Sequence, residues 1–122
     1  MSKRILSVSY DDILLATREM LLEQQGYDVT SALGFTEAVE QCQKSDFDLF
    51  ILGHSIPDKD KLHLIETFRE NCPAPILSLE RIGENKIPCD FHASPDDPAR
   101  FVKVVHEILA KREQRTRELS AS

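Results

Sequence analysis

The stretch DLFILGHSIP, residues 48–57, decides the fold. Its first half is nearly continuously apolar, which is typical of a strand that is covered on both faces in a parallel sheet. Gly53 follows the apolar run and permits a tight turn at the end of the strand. Parallel neighbours are joined by crossovers that usually contain a helix, so this strand predicts helices on either side of it in the sequence.

The rest of the chain alternates between apolar stretches of strand length and stretches with helical spacing. Helical spacing is clearest near the C-terminus, where Asp97 is a candidate N-cap and Pro98 suits the first helical turn. Thr36 is the corresponding N-cap candidate for the second helix. The alternation predicts βαβ units and an α/β fold with five parallel strands, which we place at 5–8, 27–32, 48–52, 75–79 and 90–93.

Composition indicates one globular domain and argues against several classes of protein. The chain has 122 residues, 41% of them apolar and 30% charged, and its net charge of −6 argues against a nucleic-acid-binding surface. No apolar run approaches the roughly 20 residues of a membrane span. Three widely spaced cysteines indicate neither a disulfide framework nor a zinc site: Cys42, Cys72 and Cys89. We therefore expect a cytoplasmic domain without a cofactor that binds neither nucleic acid directly nor a membrane.

In order and spacing, several fragments resemble the receiver domain of bacterial response regulators (CheY-like). They are ILSV (5–8), LEQQGYDV (22–29), DLFIL (48–52) followed by Ile56-Pro57, PIL (75–77), and Asp90-Phe91 with Ser94-Pro95. The resemblance covers about residues 3–112, taken here as a receiver-like domain, and leaves 113–122 as a helix end or tail. It implies a flavodoxin-like, doubly wound five-stranded parallel sheet, with a cis bond between Ser94 and Pro95.

Members of this family transfer a phosphoryl group from a phosphohistidine on a partner kinase to an aspartate at the end of the third strand. Two acidic residues hold Mg²⁺, and a hydroxyl residue and a lysine bind the phosphoryl oxygens. The resemblance places Gly53 at the acceptor position and Ser9 and Tyr10 at the acidic pair. It places Glu80 at the hydroxyl position and Ser94 at the lysine position. Every chemically active position is therefore altered.

These losses indicate a degenerate pseudo-receiver with no catalytic, cofactor-binding or metal-binding residues. Such a domain is not an enzyme. We expect it to act in signal transduction as a phosphorylation-independent module that binds a protein partner, either a component of a signalling pathway or a second copy of itself. The alternative is a small-ligand-binding or catalytic flavodoxin-like domain that uses the strand-end edge, where the working residues of such sheets lie.

Acidic residues near the strand ends leave two further points open. An acidic pair in a later register would consist of Asp11 and Asp12. A cation site would draw its oxygen ligands from Asp11, Asp12, Asp58 and Glu80, although a solvated acidic patch has the same composition. Glu80 either accepts hydrogen bonds from neighbouring strand-end serines or lies at the surface.

The segment between the fourth and fifth strands is too short for the helix that the family normally has there. Glu80 and Ser94 are 14 positions apart, whereas an ordinary helix takes about 11 residues without its connections. Gly83 and Pro88 also interrupt the segment, so we predict a fourth helix that is shortened or absent. Three apolar residues either form an interaction surface there or fold inward to close the gap: Ile82, Ile87 and Phe91.

Overall fold

Five strands alternate with four α-helices in the part of the chain that the computed structural model describes, residues 2–84 and 86–121, with side chains as far as Gln114. The strands are β1 (Arg4–Ser9), β2 (Asp28–Leu33), β3 (Leu49–Leu52), β4 (Ile76–Leu79) and β5 (Phe91–Ala93). The helices are α1 (Asp12–Glu23), α2 (Phe35–Lys44), α3 (Asp58–Asn71) and α4 (Pro98–Ala121).

The five strands form one parallel sheet in the order β2-β1-β3-β4-β5. Its centre is fixed by the pairing of β1 with β3, in which Ile5 lies opposite Leu49. Its edge is fixed by the pairing of β4 with β5, in which Leu77 lies opposite Phe91. The predicted flavodoxin-like, doubly wound five-stranded sheet is thus confirmed, and all five strand ends lie along one edge.

Successive side chains of β3 pack on opposite faces of the sheet, which explains its unbroken apolar run. Phe50 and Leu52 belong to the core under α2 and α3, where the ring of Phe50 stacks on that of Phe68 at 4.3 Å. Leu49 and Ile51 belong to the core under α1 and α4. All four strand residues are fully buried, and each side chain contributes about 1.5–3 kcal/mol of hydrophobic stabilisation.

Two of the helix starts are set by aspartate caps. Asp11 Oδ1 accepts from the backbone N–H of Ile13 at 3.0 Å and of Leu14 at 3.1 Å, and Asp97 caps α4 as predicted, so that the helix begins at Pro98. The prediction that Thr36 caps α2 is wrong. Gly34 precedes that helix with a φ of 90°, a conformation that favours glycine, so the helix begins one residue before Thr36.

The segment from Glu80 to Asp90 contains no α-helix among its described residues, which are all but Asn85, so the predicted loss of the fourth helix is confirmed. Ile87 is only 4% exposed and packs in the core with β3 and α3, because its backbone N–H is held by the buried carboxylate of Glu80 at 2.8 Å. It therefore cannot serve as the surface contact that the sequence left open. Phe91 is half-buried, and Ile82 is fully exposed at 102%.

In the C-terminal part, the last helix runs from Pro98 to Ala121, so the described residues beyond 112 belong to it. The described residues contain no cis peptide bond, and the expected cis bond before Pro95 is therefore wrong.

Candidate functional site

The five altered positions lie along the carboxyl edge of the sheet, each at the end of a strand. Gly53 directly follows β3, and its N–H donates to the carbonyl of Val8 in β1 at 2.9 Å. Glu80 directly follows β4, and its N–H donates to the carbonyl of Ala93 in β5 at 3.0 Å. The sheet register thus brings Ser9, Tyr10, Gly53, Glu80 and Ser94 to the edge that the sequence predicted.

The guanidinium of Arg18 fills the space beside Gly53. A Cβ atom placed on Gly53 would lie 2.8 Å from Arg18 Nη1, 3.1 Å from the carbonyl oxygen of Val8 and 3.4 Å from Ser9 Oγ. The first distance is shorter than a real contact, so an acceptor side chain at position 53 requires Arg18 to move. The glycine at position 53 therefore provides no nucleophile and also leaves room for the arginine side chain.

Arg18 is an unusual buried cation. It is 5% exposed, and neither Nη1 nor Nη2 has a hydrogen-bond partner. Burial lowers the pKa of Arg18, and the negative charge of Asp11 acts in the opposite direction. Next to it, burial lowers the pKa of His54, as do the charges of Arg81 and Arg18. The edge near Gly53 therefore contains a positive charge and a histidine whose lowered pKa favours the neutral imidazole.

Ser9 and Tyr10 are linked to each other and to the loop after β3, and neither provides a carboxylate. Ser9 Oγ lies 3.2 Å from Ser55 Oγ, which also accepts from the N–H of Tyr10 at 3.1 Å. The Tyr10 hydroxyl donates to Asp60 Oδ2 on α3 at 2.8 Å. Burial raises the pKa of Tyr10 to about 12, with Asp60 contributing through the hydrogen bond and its charge. The Tyr10 side chain therefore links the end of β1 to α3.

A second buried cation, Lys61 from the first turn of α3, reaches the end of β4. Lys61 is 2% exposed, and its Nζ donates to Ser78 Oγ at 3.0 Å and to the carbonyl oxygen of Leu79 at 2.9 Å. Burial lowers the pKa of Lys61, against the opposing effect of Glu80 and other acidic groups. Two of the three N–H groups of the ammonium are used within β4, so the ammonium is tied to the sheet.

Glu80 joins β4, β5 and the loop between them. Its side chain is 7% exposed, and Oε1 lies 2.7 Å from His92 Nδ1 on β5. Oε2 accepts from the N–H of Ile87 at 2.8 Å and lies 3.4 Å from Ser78 Oγ. The expectation that Glu80 accepts hydrogen bonds from the strand-end serines Ser9 and Ser94 is wrong, because its side chain turns toward the loop. Ser94 Oγ instead accepts from the N–H of Asp96.

The residues at this edge do not fit the Mg²⁺ ion that the fold implies. A hard divalent cation needs several oxygen ligands, usually carboxylates. Asp11 uses Oδ1 to cap α1, Asp12 is exposed on the first turn of that helix, and Arg18 places a positive charge beside Gly53. Among the described residues there is no group of three or more His, Cys, Asp or Glu side chains that could hold a metal ion.

Arg18 and Lys61 are the residues that sequence reasoning missed. Each occupies an apolar helical stripe: Arg18 lies between Leu15 and Leu22, and Lys61 is followed at helical spacing by Leu64. Long basic side chains on such a stripe usually extend to solvent, which is why they attract no attention in a sequence. Here α1 and α3 direct these side chains toward the strand ends, where Arg18 places a positive charge beside Gly53 and Lys61 places one at the end of β4.

Comparison with known proteins agrees with this fold. No protein-family model matches the chain. It is 25% identical over 118 residues to the cell cycle transcriptional regulator CtrA of Caulobacter vibrioides, covering 88% of this chain and 51% of that protein. It is 28% identical over 96 residues to the transcriptional regulatory protein ResD of Bacillus subtilis, covering 77% of this chain and 40% of that protein. The chain thus spans about half the length, or less, of these curated relatives.

A solved structure gives the most direct comparison of the fold. The response regulator receiver domain protein (CheY-like) from Methanospirillum hungatei superposes with a TM-score of 0.82 at 22% identity, over 94% of this chain and 99% of that one. The fold is that of a receiver domain. None of the helices in residues 2–84 and 86–121 combines the length and apolar character that crossing a membrane requires.

Proposed function

We propose that this chain is a pseudo-receiver: a receiver-type domain of signal transduction that works without aspartyl phosphorylation, by binding a protein partner. The receiver fold and the two regulator relatives support a signalling role. The observation that carries the absence of phosphorylation is Gly53 itself, which provides no nucleophile at the end of β3 and has the Arg18 guanidinium beside it. We further propose that the domain is not an enzyme and resides in the cytoplasm.

Each requirement of phosphoryl transfer is opposed by a specific feature of the edge. Attack on phosphorus needs a nucleophile, and Gly53 has none. Charge on the transferred group needs Mg²⁺ and a free cation. Ser9 and Tyr10 bring no carboxylate to hold the metal, and the ammonium of Lys61 is already used by Ser78 and Leu79. Glu80 offers no hydroxyl group at the end of β4, because it is a carboxylate that is bound by His92 and the N–H of Ile87.

The same features disfavour the alternative of a small-ligand or catalytic domain at this edge. The positions where a ligand would enter are filled by side chains of the protein itself, notably Arg18, Tyr10 and Lys61. A cavity of about 760 Å³ lies instead at the opposite ends of β4 and β5, between Arg69, Pro75, Phe91 and Ile108. We therefore place the activity of the domain in its contacts with other proteins.

Phosphorylation is tested directly with acetyl phosphate and Mg²⁺, followed by intact-protein mass spectrometry. We expect no stable gain of a phosphoryl group, while a receiver domain with the complete set of aspartates becomes labelled in the same buffer. Stoichiometric labelling of any aspartate in this chain would refute the proposal.

A Gly53→Asp variant tests whether the missing acceptor is the only defect. We expect it to remain poorly labelled, because the metal ligands and the family's lysine are still absent and the Arg18 guanidinium lies beside the new carboxylate. Efficient labelling that depends on Mg²⁺ would show that Asp11 or Asp12 serves as a metal ligand after all.

The partner surface is tested at Ile82, the fully exposed apolar residue of the loop that replaces the family's helix. Ile82→Glu should abolish self-association in sedimentation experiments, or partner capture from native cytoplasm, with an unchanged circular dichroism spectrum. Leu62→Glu is the matched control, because Leu62 is 49% exposed on α3, away from the loop. Equal binding by both variants and the parent would exclude Ile82 from the interface.

A further inference from the structure

The side chains of Cys89, His92 and Glu80 form a connected group near β4 and β5, and neither Ser9 nor Gly53 belongs to it. Cys89 Sγ lies 3.8 Å from His92 Nε2, and His92 Nδ1 lies 2.7 Å from Glu80 Oε1. A thiol, an imidazole and a carboxylate thus stand in line, with one ring nitrogen facing each neighbour. This order is the arrangement in which a histidine serves as a base for a nucleophile.

The carboxylate determines which nitrogen of His92 is free. Glu80 Oε2 accepts from the N–H of Ile87, and Oε1 is the partner of His92 Nδ1. An ionised carboxylate only accepts hydrogen bonds, so in the neutral imidazole the proton lies on Nδ1. The lone pair of Nε2 then faces the sulfur of Cys89. Glu80 therefore acts as a positioning residue, and His92 is the group that contacts the thiol.

The thiol rests in its protonated form. Cys89 Sγ donates to the carbonyl oxygen of Phe91 at 3.1 Å. Burial raises the pKa of Cys89, and the charges of Glu80 and Asp90 act in the same direction, whereas backbone hydrogen bonds at Phe91 and Ser78 lower it. Lys61 on α3 adds an opposite charge nearby. Because the reactive species of a cysteine is the thiolate, this sulfur reacts only if its proton is removed as it attacks.

We propose that Cys89 is a modification site that undergoes thiol–disulfide exchange with low-molecular-weight disulfides, with His92 as the general base. The sulfur of Cys89 attacks one sulfur of the disulfide while its proton passes to His92 Nε2. A new sulfur–sulfur bond forms to Cys89, the original disulfide bond breaks, and the departing thiolate takes the proton from His92. The protein thiol is oxidised, the small disulfide is reduced to one mixed-disulfide half and one free thiol, and no other reactant is needed.

The other two cysteines provide internal controls. Cys42 is 3% exposed and Cys72 is 5% exposed, whereas Cys89 is only half-buried. Cys72 donates to the carbonyl oxygen of Phe47 at 3.3 Å, in the same way that Cys89 donates to Phe91, but only Cys89 also contacts an imidazole. A difference in reactivity between these thiols in one folded chain therefore reports on His92 and exposure together.

The experiment uses the full chain with oxidised glutathione, and peptide mass spectrometry locates the adduct. We expect Cys89 to be modified first, and Cys42 and Cys72 only after unfolding. His92→Asn separates the base from exposure, because the asparagine amide can still donate to Glu80 but has no counterpart of Nε2. It should lower the rate at Cys89 at neutral pH by about a hundredfold, the lower end of general-base effects.

The pH profile separates base catalysis from simple deprotonation. In the parent chain the rate should persist below the titration of the thiol, whereas in His92→Asn it should fall about tenfold for each pH unit, as a simple thiolate reaction does. Glu80→Gln, which keeps an acceptor oxygen but removes a charge that raises the pKa of Cys89, should move the profile toward lower pH. Equal rates and profiles in the parent and His92→Asn would overturn the proposal, and so would earlier modification of Cys42 or Cys72 in the folded chain. If His92→Asn does not fold, the parent profile decides alone: a rate that simply follows thiol deprotonation refutes the base.

Discussion

The two halves of the strand-end edge hold their buried charges in opposite ways. At the ends of β1 and β3, a buried guanidinium lies beside Gly53 with no hydrogen bond to either Nη atom. At the ends of β4 and β5, a buried carboxylate has a partner for each oxygen: His92 for Oε1 and the N–H of Ile87 for Oε2. The half at β1 and β3 thus holds a buried charge whose Nη atoms make no hydrogen bond, and the half at β4 and β5 holds a buried charge with a hydrogen-bond partner for each oxygen.

This difference has a direct energetic meaning. Removing one member of a satisfied buried group leaves the partners without hydrogen bonds, which costs about 1–3 kcal/mol for each. Removing an unsatisfied buried charge relieves a desolvation penalty instead. We therefore expect the β4–β5 half, anchored by Glu80, to be essential for stability. The half around Arg18 should tolerate, or even gain from, substitution.

The largest expected effect separates two isoleucines of the loop that replaces the fourth helix. Ile87→Glu should destabilise the domain by about 4 kcal/mol or more, because it places a charge in the core, whereas Ile82→Glu should change stability by less than about 0.5 kcal/mol. Urea unfolding followed by circular dichroism measures both. Similar values for the two variants would mean that the loop is not anchored as described.

Glu80→Ala should give the next largest effect, a loss of about 2–3 kcal/mol, because the N–H of Ile87 and the ring of His92 lose their acceptor. Glu66→Ala, at an exposed position of α3, is the matched control and should be nearly neutral. A neutral Glu80→Ala would remove the basis for treating the two halves of the edge as different.

Arg18→Met should have the opposite sign and stabilise the domain by about 1–2 kcal/mol, since it replaces an unsatisfied cation with an apolar chain of similar length. Lys61→Met is the contrasting variant, because Lys61 holds Ser78 and the carbonyl of Leu79, and it should not stabilise. If Arg18→Met destabilises the domain as much as Lys61→Met does, the guanidinium has a role in the fold that its contacts do not reveal.

The smallest effect is an alkaline dependence from Tyr10. Its folded-state pKa of about 12 lies above the ordinary value of 10.0, so the folded state keeps the proton over a range where the unfolded chain loses it. The stability from Tyr10 is complete below pH 10 and is lost as the pH rises toward 12. Tyr10→Phe should lack this dependence, and Asp60→Asn should lower the Tyr10 pKa in an absorbance titration. An unchanged titration in Asp60→Asn would exclude Asp60 as a cause.

The sequence predicted the fold well, because the fold depends on patterns that repeat along the chain. The apolar run of β3, the cap at Asp97 and the short spacing from Glu80 to Ser94 each indicate one feature, and all three are confirmed. The strand-end positions were also predictable, since the ends of parallel strands share an edge. Thr36 failed as a cap because the positive φ of Gly34 starts the helix earlier.

The interior of the site could not be predicted in the same way. Whether Arg18 and Lys61 extend to solvent or turn under the sheet depends on the neighbouring helices and not on their own spacing. The line of Cys89, His92 and Glu80 depends on how a loop without periodicity folds back onto β4 and β5. Such long-range contacts leave no local signal in the sequence.

The contact between Gly53 and Arg18 also bears on how a phosphoryl acceptor could be engineered at this edge. An aspartate introduced at position 53 places its carboxylate beside a guanidinium, where it becomes an ion-pair partner instead of a free nucleophile. Replacing Arg18 alone adds no acceptor. Neither single substitution is therefore sufficient, and an acceptor at this position requires both changes together.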